Sequence, residues 1–424
     1  MGRFPMTVLA AAALAGAGVS APAFGAHEPG GLVWQTEKLG WFPRMPRLVG
    51  GILCLSLEGD LKPDYAAQVV GIDAATGRIA WRFATDGPAA CRPVAAGGTI
   101  LVSCRGGTAY GIDARTGRAR WKLKVGGVYE NPCVAGSLAL LGMRQEIIAV
   151  EIATGKVRWR APGGGEGNSE LGMVAAGGMV CCTDLGPPRK GPVRALGLAA
   201  GKQAWSHPKD GAAGRIFDIE VAGGTVLVAG GALVALDGAT GRETWSFAPA
   251  PAAEGVGCLS VAGGVVYCAA VTPGGYDPEK KHNVPARTHE LCAIDLGTGK
   301  PKWRVAVDRK EAMRKSVAAG GAVYFGSTER CLRLNGATGA VEWEARDCYD
   351  LFLVQDGIVY VDTEDGVRAL DAATGAPEWT APVKKNTYTG ELIATGGLII
   401  FVDGATAGKV FAVKAGRARE RQVF

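Results

Sequence analysis

The chain has 424 residues, 48% hydrophobic and 20% charged, a balance that excludes a disordered or collagen-like polymer and leaves a globular protein. Its formal charge of +6 is spread along the sequence, with no dense Lys/Arg run interleaved with aromatics, so nucleic acid is not an expected partner. Only four histidines occur, and no Cys/His cluster has zinc spacing, so no metal centre is expected.

The first element in chain order reads as an address. Residues 1–6 carry one arginine, 7–19 are apolar and small, and 21–26 offer small residues to a signal peptidase. Residues 1–25 are therefore expected to be a cleaved signal peptide, and 26–424 a single folded domain. The apolar run is too short to span a bilayer comfortably and no basic stop follows it, so the mature chain should hold no transmembrane segment. No cysteine follows closely enough for lipid attachment. The expected location is periplasmic or secreted.

From residue 31 onward the chain repeats. Residues 71–83 contain an apolar strand, Asp73, two small residues, Thr76-Gly77, three variable residues and Trp81. Full frames of this kind end at Trp81, Trp121, Trp159, Trp205, Trp245, Trp303, Trp343 and Trp379. Four residues before each stands a glycine, from Gly77 and Gly117 to Gly339 and Gly375. A period near 40 residues announces a repeat architecture. Before most frames lie two apolar runs joined by paired glycines or Asp356-Gly357, as in 94–102, 174–181, 221–228, 261–267, 317–325, 353–361 and 393–401. Such turns demand positive φ and signal hairpins. Four antiparallel strands per unit, repeated around a ring, make an all-β propeller.

Trp34, within 31–39, is a fourth-strand phrase with no first half before it, and 393–414 is a first half with no Trp after it. The fragments complement each other, so an N-terminal strand should close the ring and remove the open edge. Eight full frames plus the split one tally as nine, whereas the usual range of propellers, four to eight blades, favours eight. Each Trp is too large to bury in its own blade and should wedge against the next, donating its indole N–H there. Alanine at Trp121 is then expected to cost about 3–5 kcal/mol.

These phrases, above all Ala293-Ile294-Asp295-Leu296-Gly297-Thr298-Gly299-Lys300-Pro301-Lys302-Trp303 and residues 369–379, resemble the repeat of pyrroloquinoline-quinone (PQQ)-type propellers. That family includes quinoprotein dehydrogenases and the scaffold propeller of the outer-membrane β-barrel assembly machinery. The resemblance covers nearly all of the mature chain and implies the fold far more than an activity. It implies two functional classes. One is a non-catalytic binding or scaffolding propeller for a protein or peptide partner in the cell envelope, with no cofactor expected. The other is a PQQ- and calcium-dependent alcohol or sugar dehydrogenase. A small-molecule or carbohydrate-binding propeller is a third.

Hairpin logic separates two faces. The Gly-Gly and Asp-x-x-Thr-Gly turns share one end and are short throughout. Connections between second and third strands, and between blades, share the other end, and the long ones there are 58–68, 184–193 and 272–290. Variable loops on a rigid ring are where binding concentrates. Candidate binding residues on that face are Arg92, Tyr129, Glu130, Asn131, Asn168, Glu170, Arg215, Arg314, Lys315, Tyr349 and Tyr388 between blades. The largest insertion adds Tyr276, His282 and His289. No catalytic residue is assigned.

Quinoprotein dehydrogenases of this family carry an adjacent-cysteine disulfide over the cofactor. Cys181-Cys182 is adjacent too, but the pair lies in a second-strand phrase, where alternating side chains point to opposite faces. Cys54, Cys104, Cys181, Cys182 and Cys268 sit in apolar runs and read as small buried hydrophobes.

Overall fold

Alternating apolar runs broken by glycine pairs fold as strands because each run can bury one or both faces while the glycines take the left-handed turn positions. The computed structural model describes residues 28–37, 39, 43–57, 67–89, 92–126, 132–143, 146–163, 171–184, 192–208, 216–272, 275–277, 282–284, 287–307, 312–327, 329–348, 350–381, 392–403 and 408–417. Residues 1–25, expected to be a signal peptide, lie outside them.

Nine four-stranded antiparallel sheets follow one another. Blades 1 to 8 span residues 43–84, 94–124, 133–162, 171–207, 216–247, 255–306, 315–346 and 350–380. Blade 9 is formed by Leu392–Thr395, Leu398–Asp403 and Lys409–Lys414, completed by the N-terminal strand Leu32–Gln35. The literal tally of nine is therefore the blade count, not the eight that the usual size of rings favours. A small extra hairpin pairs Gly275–Asp277 with His282–Val284 inside the blade 6 insertion.

The apolar core is divided among nine clusters, each shared by two successive blades. They run from blades 1 and 2 (Val69, Trp81, Ile100, Ile112) round to blades 9 and 1 (Ile400, Val410, Leu53, Val70). Nine interfaces for nine blades make a closed ring. First strands of successive blades approach one another, so they line the centre and the Trp-bearing fourth strands lie outermost. Second and third strands are buried almost throughout, while fourth strands alternate exposed and buried residues.

The nine motif tryptophans dock as the spacing predicts. Each indole Nε1 donates to a backbone carbonyl of the next blade at 2.6 to 3.2 Å, from Trp34 to Ala74 through Trp343 to Ala372 and Trp379 to Gly416. The ring lies on the glycine of the neighbouring turn. At Gly77, φ is +72° and a Cβ would lie 2.5 Å from the Trp34 ring, so the position excludes any side chain. Gly30, at φ +79° under Trp379, plays the same part in the closing blade. It precedes Trp34 by four residues, a ninth copy of the spacing that the sequence reading overlooked because no Asp or Thr accompanies it.

The turn itself is held by its aspartate. Asp73 Oδ1 accepts from the Ala75 and Thr76 backbone N–H groups and from the Thr76 hydroxyl at 2.8–3.1 Å, while Gly77 N–H donates to the Asp73 carbonyl. Blade 4 has Gly197 in place of aspartate yet keeps the backbone bond from Gly201 to Gly197 at 2.8 Å. Backbone geometry defines the turn, and the carboxylate reinforces it.

Candidate functional site

The ring has a flat face of short turns and an opposite face of connections of unequal length. Of the candidate binding residues, Tyr129, Glu130, Asn131, Asn168, Glu170, Arg215, Tyr349 and Tyr388 lie outside the described residues. Tyr276 and His282 fall on the paired strands of the extra hairpin, and their side chains are not described. Arg92 is half-buried at the entry to blade 2, and exposed Arg314 precedes Lys315, which opens the first strand of blade 7. These residues share a face without forming one cluster.

His289 is the candidate with the most structure around it. It stands at the base of the insertion on strand Arg287–Asp295, with Nε2 2.9 Å from the Thr272 hydroxyl. Its neighbour Glu290 is buried, accepting from Ala250 N–H at 3.1 Å and from Arg304 at 3.0 Å. The Arg304 guanidinium also lies over the Phe247 ring, 4.4 Å from its centroid, and donates to the Ala248 carbonyl. An arginine stacked on a ring, paired with a carboxylate and bonded to a carbonyl in this way is held in one geometry. The outcome is a rigid polar floor bridging blades 5 and 6 beneath the largest insertion.

A second polar cluster, missed by the sequence reading, bridges blades 1 and 2 on the same face. Asp86 accepts from the Thr108 hydroxyl at 2.7 Å and faces Lys122 and Lys124 at 3.6 and 3.7 Å. The Thr108 bond, helped by Tyr110 and the two lysines, holds the Asp86 carboxyl below its ordinary range. Lys122 also sits over the Tyr110 ring. Its sequence signal was the fourth-strand alternation Arg120, Lys122, Lys124, which reads equally as a solvated edge.

Toward the centre, Glu220 lies on the first strand of blade 5, Ile216–Ala222. Its Oε2 is buried with no hydrogen-bond partner among the described residues. Burial, then the nearby Asp218, raises its pKa from 4.5 to about 7. The raised value means the folded state holds the proton more tightly than the unfolded chain does. Glu220 therefore contributes stability that is full below pH 4.5 and is lost as pH rises through 7. Glu220→Gln should exceed the wild type by about 2–3 kcal/mol in unfolding free energy at pH 8, and match it at pH 4. Parallel pH–stability curves in denaturant titrations would refute this.

The quinone-covering role does not fit the adjacent cysteines. Cys181 enters the cluster between blades 4 and 5, while Cys182 enters the one between blades 3 and 4. Their side chains point to opposite sides of one strand, and both are fully buried. Burial pushes the Cys181 thiol up to about 12. Ten described cysteines form no disulfide among themselves, and all but Cys133 are buried, as expected of small hydrophobes. Among the described residues no group of three or more His, Cys, Asp or Glu side chains could hold a metal ion.

Comparison with known proteins follows the same lines. The family model described as outer membrane protein assembly factor BamB, a PQQ-type repeat model, matches residues 25–181, 126–216 and 189–414. No curated protein matches the chain. Among solved structures, BamB from Moraxella catarrhalis is 18% identical with a TM-score of 0.53, covering 76% of this chain and 96% of its own. Quinohemoprotein alcohol dehydrogenase ADHIIG from Pseudomonas putida HK5 is 15% identical with a TM-score of 0.53, over 92% of this chain and 77% of its own. The computationally designed Ika8 protein is 13% identical with a TM-score of 0.55, over 91% and 99%. At these identities the structures speak for the fold alone. The family match runs through nearly all nine blades, and the chain belongs to this family of PQQ-like repeat propellers.

Proposed function

We propose that the chain is a non-catalytic propeller of the cell envelope whose long-connection face binds a protein or peptide partner, with no cofactor required. The observation that carries this reading is the rigid floor of His289, Glu290 and Arg304 under the largest insertion. Glu290 and Arg304 are bonded to each other and to the backbone, and His289 to the Thr272 hydroxyl, an arrangement suited to presenting a fixed surface. The family description, an outer-membrane assembly factor, supports an extracytoplasmic partner. So does the apolar segment at 7–19. Among the described residues no helix is long and apolar enough to cross a membrane.

The test is capture of envelope proteins on immobilised wild type and on a variant whose residues 273–286 are replaced by a short Gly-Ser turn. A partner retained by the wild type and lost by a variant of unchanged melting temperature is the expected result. Addition of PQQ and calcium is the counter-test. Saturable quinone binding with dye-linked oxidation of an alcohol or sugar would overturn the proposal in favour of a quinoprotein dehydrogenase.

A further inference from the structure

The tight-turn face, which the proposed function does not use, has its own charge pattern. The residue after the turn glycine is basic in six consecutive blades: Arg78, Arg118, Lys156, Lys202, Arg242 and Lys300. In blades 7 and 8 it is Ala340 and Ala376. Because the turn between third and fourth strands is closed by the same backbone bond in all six blades, these six side chains leave the ring from equivalent positions. All six are exposed.

Pairing decides which sector carries free charge. In blades 1 to 4, Arg120 and Arg158 are bound to Asp113 and Glu151, and Asp73 Oδ1 is committed to its own turn. Arg78, Arg118, Lys156 and Lys202, joined by exposed Arg115, have no side-chain partner among the described residues. In blades 7 and 8 most of the acids are already matched, and exposed Asp356 on the hairpin turn of blade 8 accepts, among the described residues, only from the Gln355 amide. Glu342 is bonded to Arg333, and Asp371 and Glu378 lie against Arg417. The face therefore offers unpaired cations on one side and no comparable set of unpaired anions on the other. A second copy of the chain, which would need both, does not complement it. Val341 is the only large exposed hydrophobic residue among those described, so no apolar docking competes.

We propose that the turn face of blades 1 to 4 binds a membrane surface through the phosphates of anionic lipids. A row of flexible cations without a groove matches mobile headgroups, which gather under fixed charges, better than one shaped protein partner. Binding should be purely electrostatic, with no side chain entering the acyl region and strong weakening by salt.

Co-sedimentation of the purified chain with phosphatidylcholine vesicles, with and without phosphatidylglycerol, tests this. The wild type should bind only the anionic vesicles and leave them at high salt. Arg118→Gln, Lys156→Gln and Lys202→Gln together should weaken binding about 100-fold, at roughly fivefold per cation. The same charge removed from the far ends of the fourth strands, by Lys124→Gln, Arg160→Gln and Arg346→Gln, should change it much less. Melting curves check that both triple variants fold. Absence of anionic-vesicle binding, or equal losses in the two triple variants, would overturn the proposal. So would retention on an acidic polymer without vesicle binding, which would assign the sector to an acidic macromolecule.

Discussion

Trp81→Ala is expected to lower the unfolding free energy by about 3–5 kcal/mol, measured by denaturant titration. Its indole is buried, donates to Ala114 at 2.9 Å, and rests on Gly117, where a Cβ would come within 2.5 Å of the ring. Removing it opens a cavity between blades 1 and 2 and leaves a buried carbonyl without its donor. Trp121 makes the equivalent bond to Ile152 at 2.8 Å, but its ring is only partly buried, so its alanine variant should fall at the lower end of that range. The reciprocal change, Gly117→Ala, should cost a similar amount through both the contact and the strained φ of +70°. A Trp81→Ala variant melting with the wild type would refute interblade docking as a source of stability.

Deletion of residues 28–37 is expected to be costlier still, abolishing the single cooperative transition. That segment supplies the outer strand of blade 9, with Gly30 donating to Lys414, Lys414 donating to Gly31, and Thr36 donating to Val410 at 2.8–2.9 Å. It also carries Trp34, which docks on blade 1, and Gly30, on which Trp379 docks. Its loss removes two of the nine interblade anchors and bares the edge of Lys409–Lys414 for pairing with other chains. The checks are calorimetry for a broadened or split transition, and light scattering for association. A truncated chain that stays monomeric and melts in one sharp step would show that closure is dispensable.

Much of the fold was legible in the chain because the repeat writes each local rule nine times. The glycine four residues before tryptophan encodes a left-handed turn and a surface for the neighbouring indole, so one spacing specifies both turn and docking. Blade 4 shows how far the motif can erode: without an aspartate, Gly197 and Gly201 still close the turn through the backbone. The same redundancy hid Gly30, whose neighbours Pro29 and Gly31 carry none of the other motif residues.

The candidate site was legible only as a face. Sequence placed His289 in the largest insertion but gave no sign that Arg304 bonds to Glu290, 14 residues away, and stacks on Phe247. Nor did it pick out Asp86, whose partners Thr108, Lys122 and Lys124 come from the next blade. Those contacts depend on the packing angle between blades, which no local pattern encodes.

By itself, then, the sequence determined strand order, turn type, the tryptophan docking and the identity of the closing strand, because each rests on short-range periodicity and steric demand. The tertiary structure decided what depends on summation around the circle. It set the ring at nine blades, since closure requires every interface to be filled, from Val69 and Ile100 round to Val410 and Val70. It also sent Cys181 and Cys182 into different interfaces and left the turn-face cations of blades 1 to 4 without side-chain partners among the described residues. Charge pairing and burial are properties of neighbours in space, and in a ring most of those neighbours are a whole repeat apart.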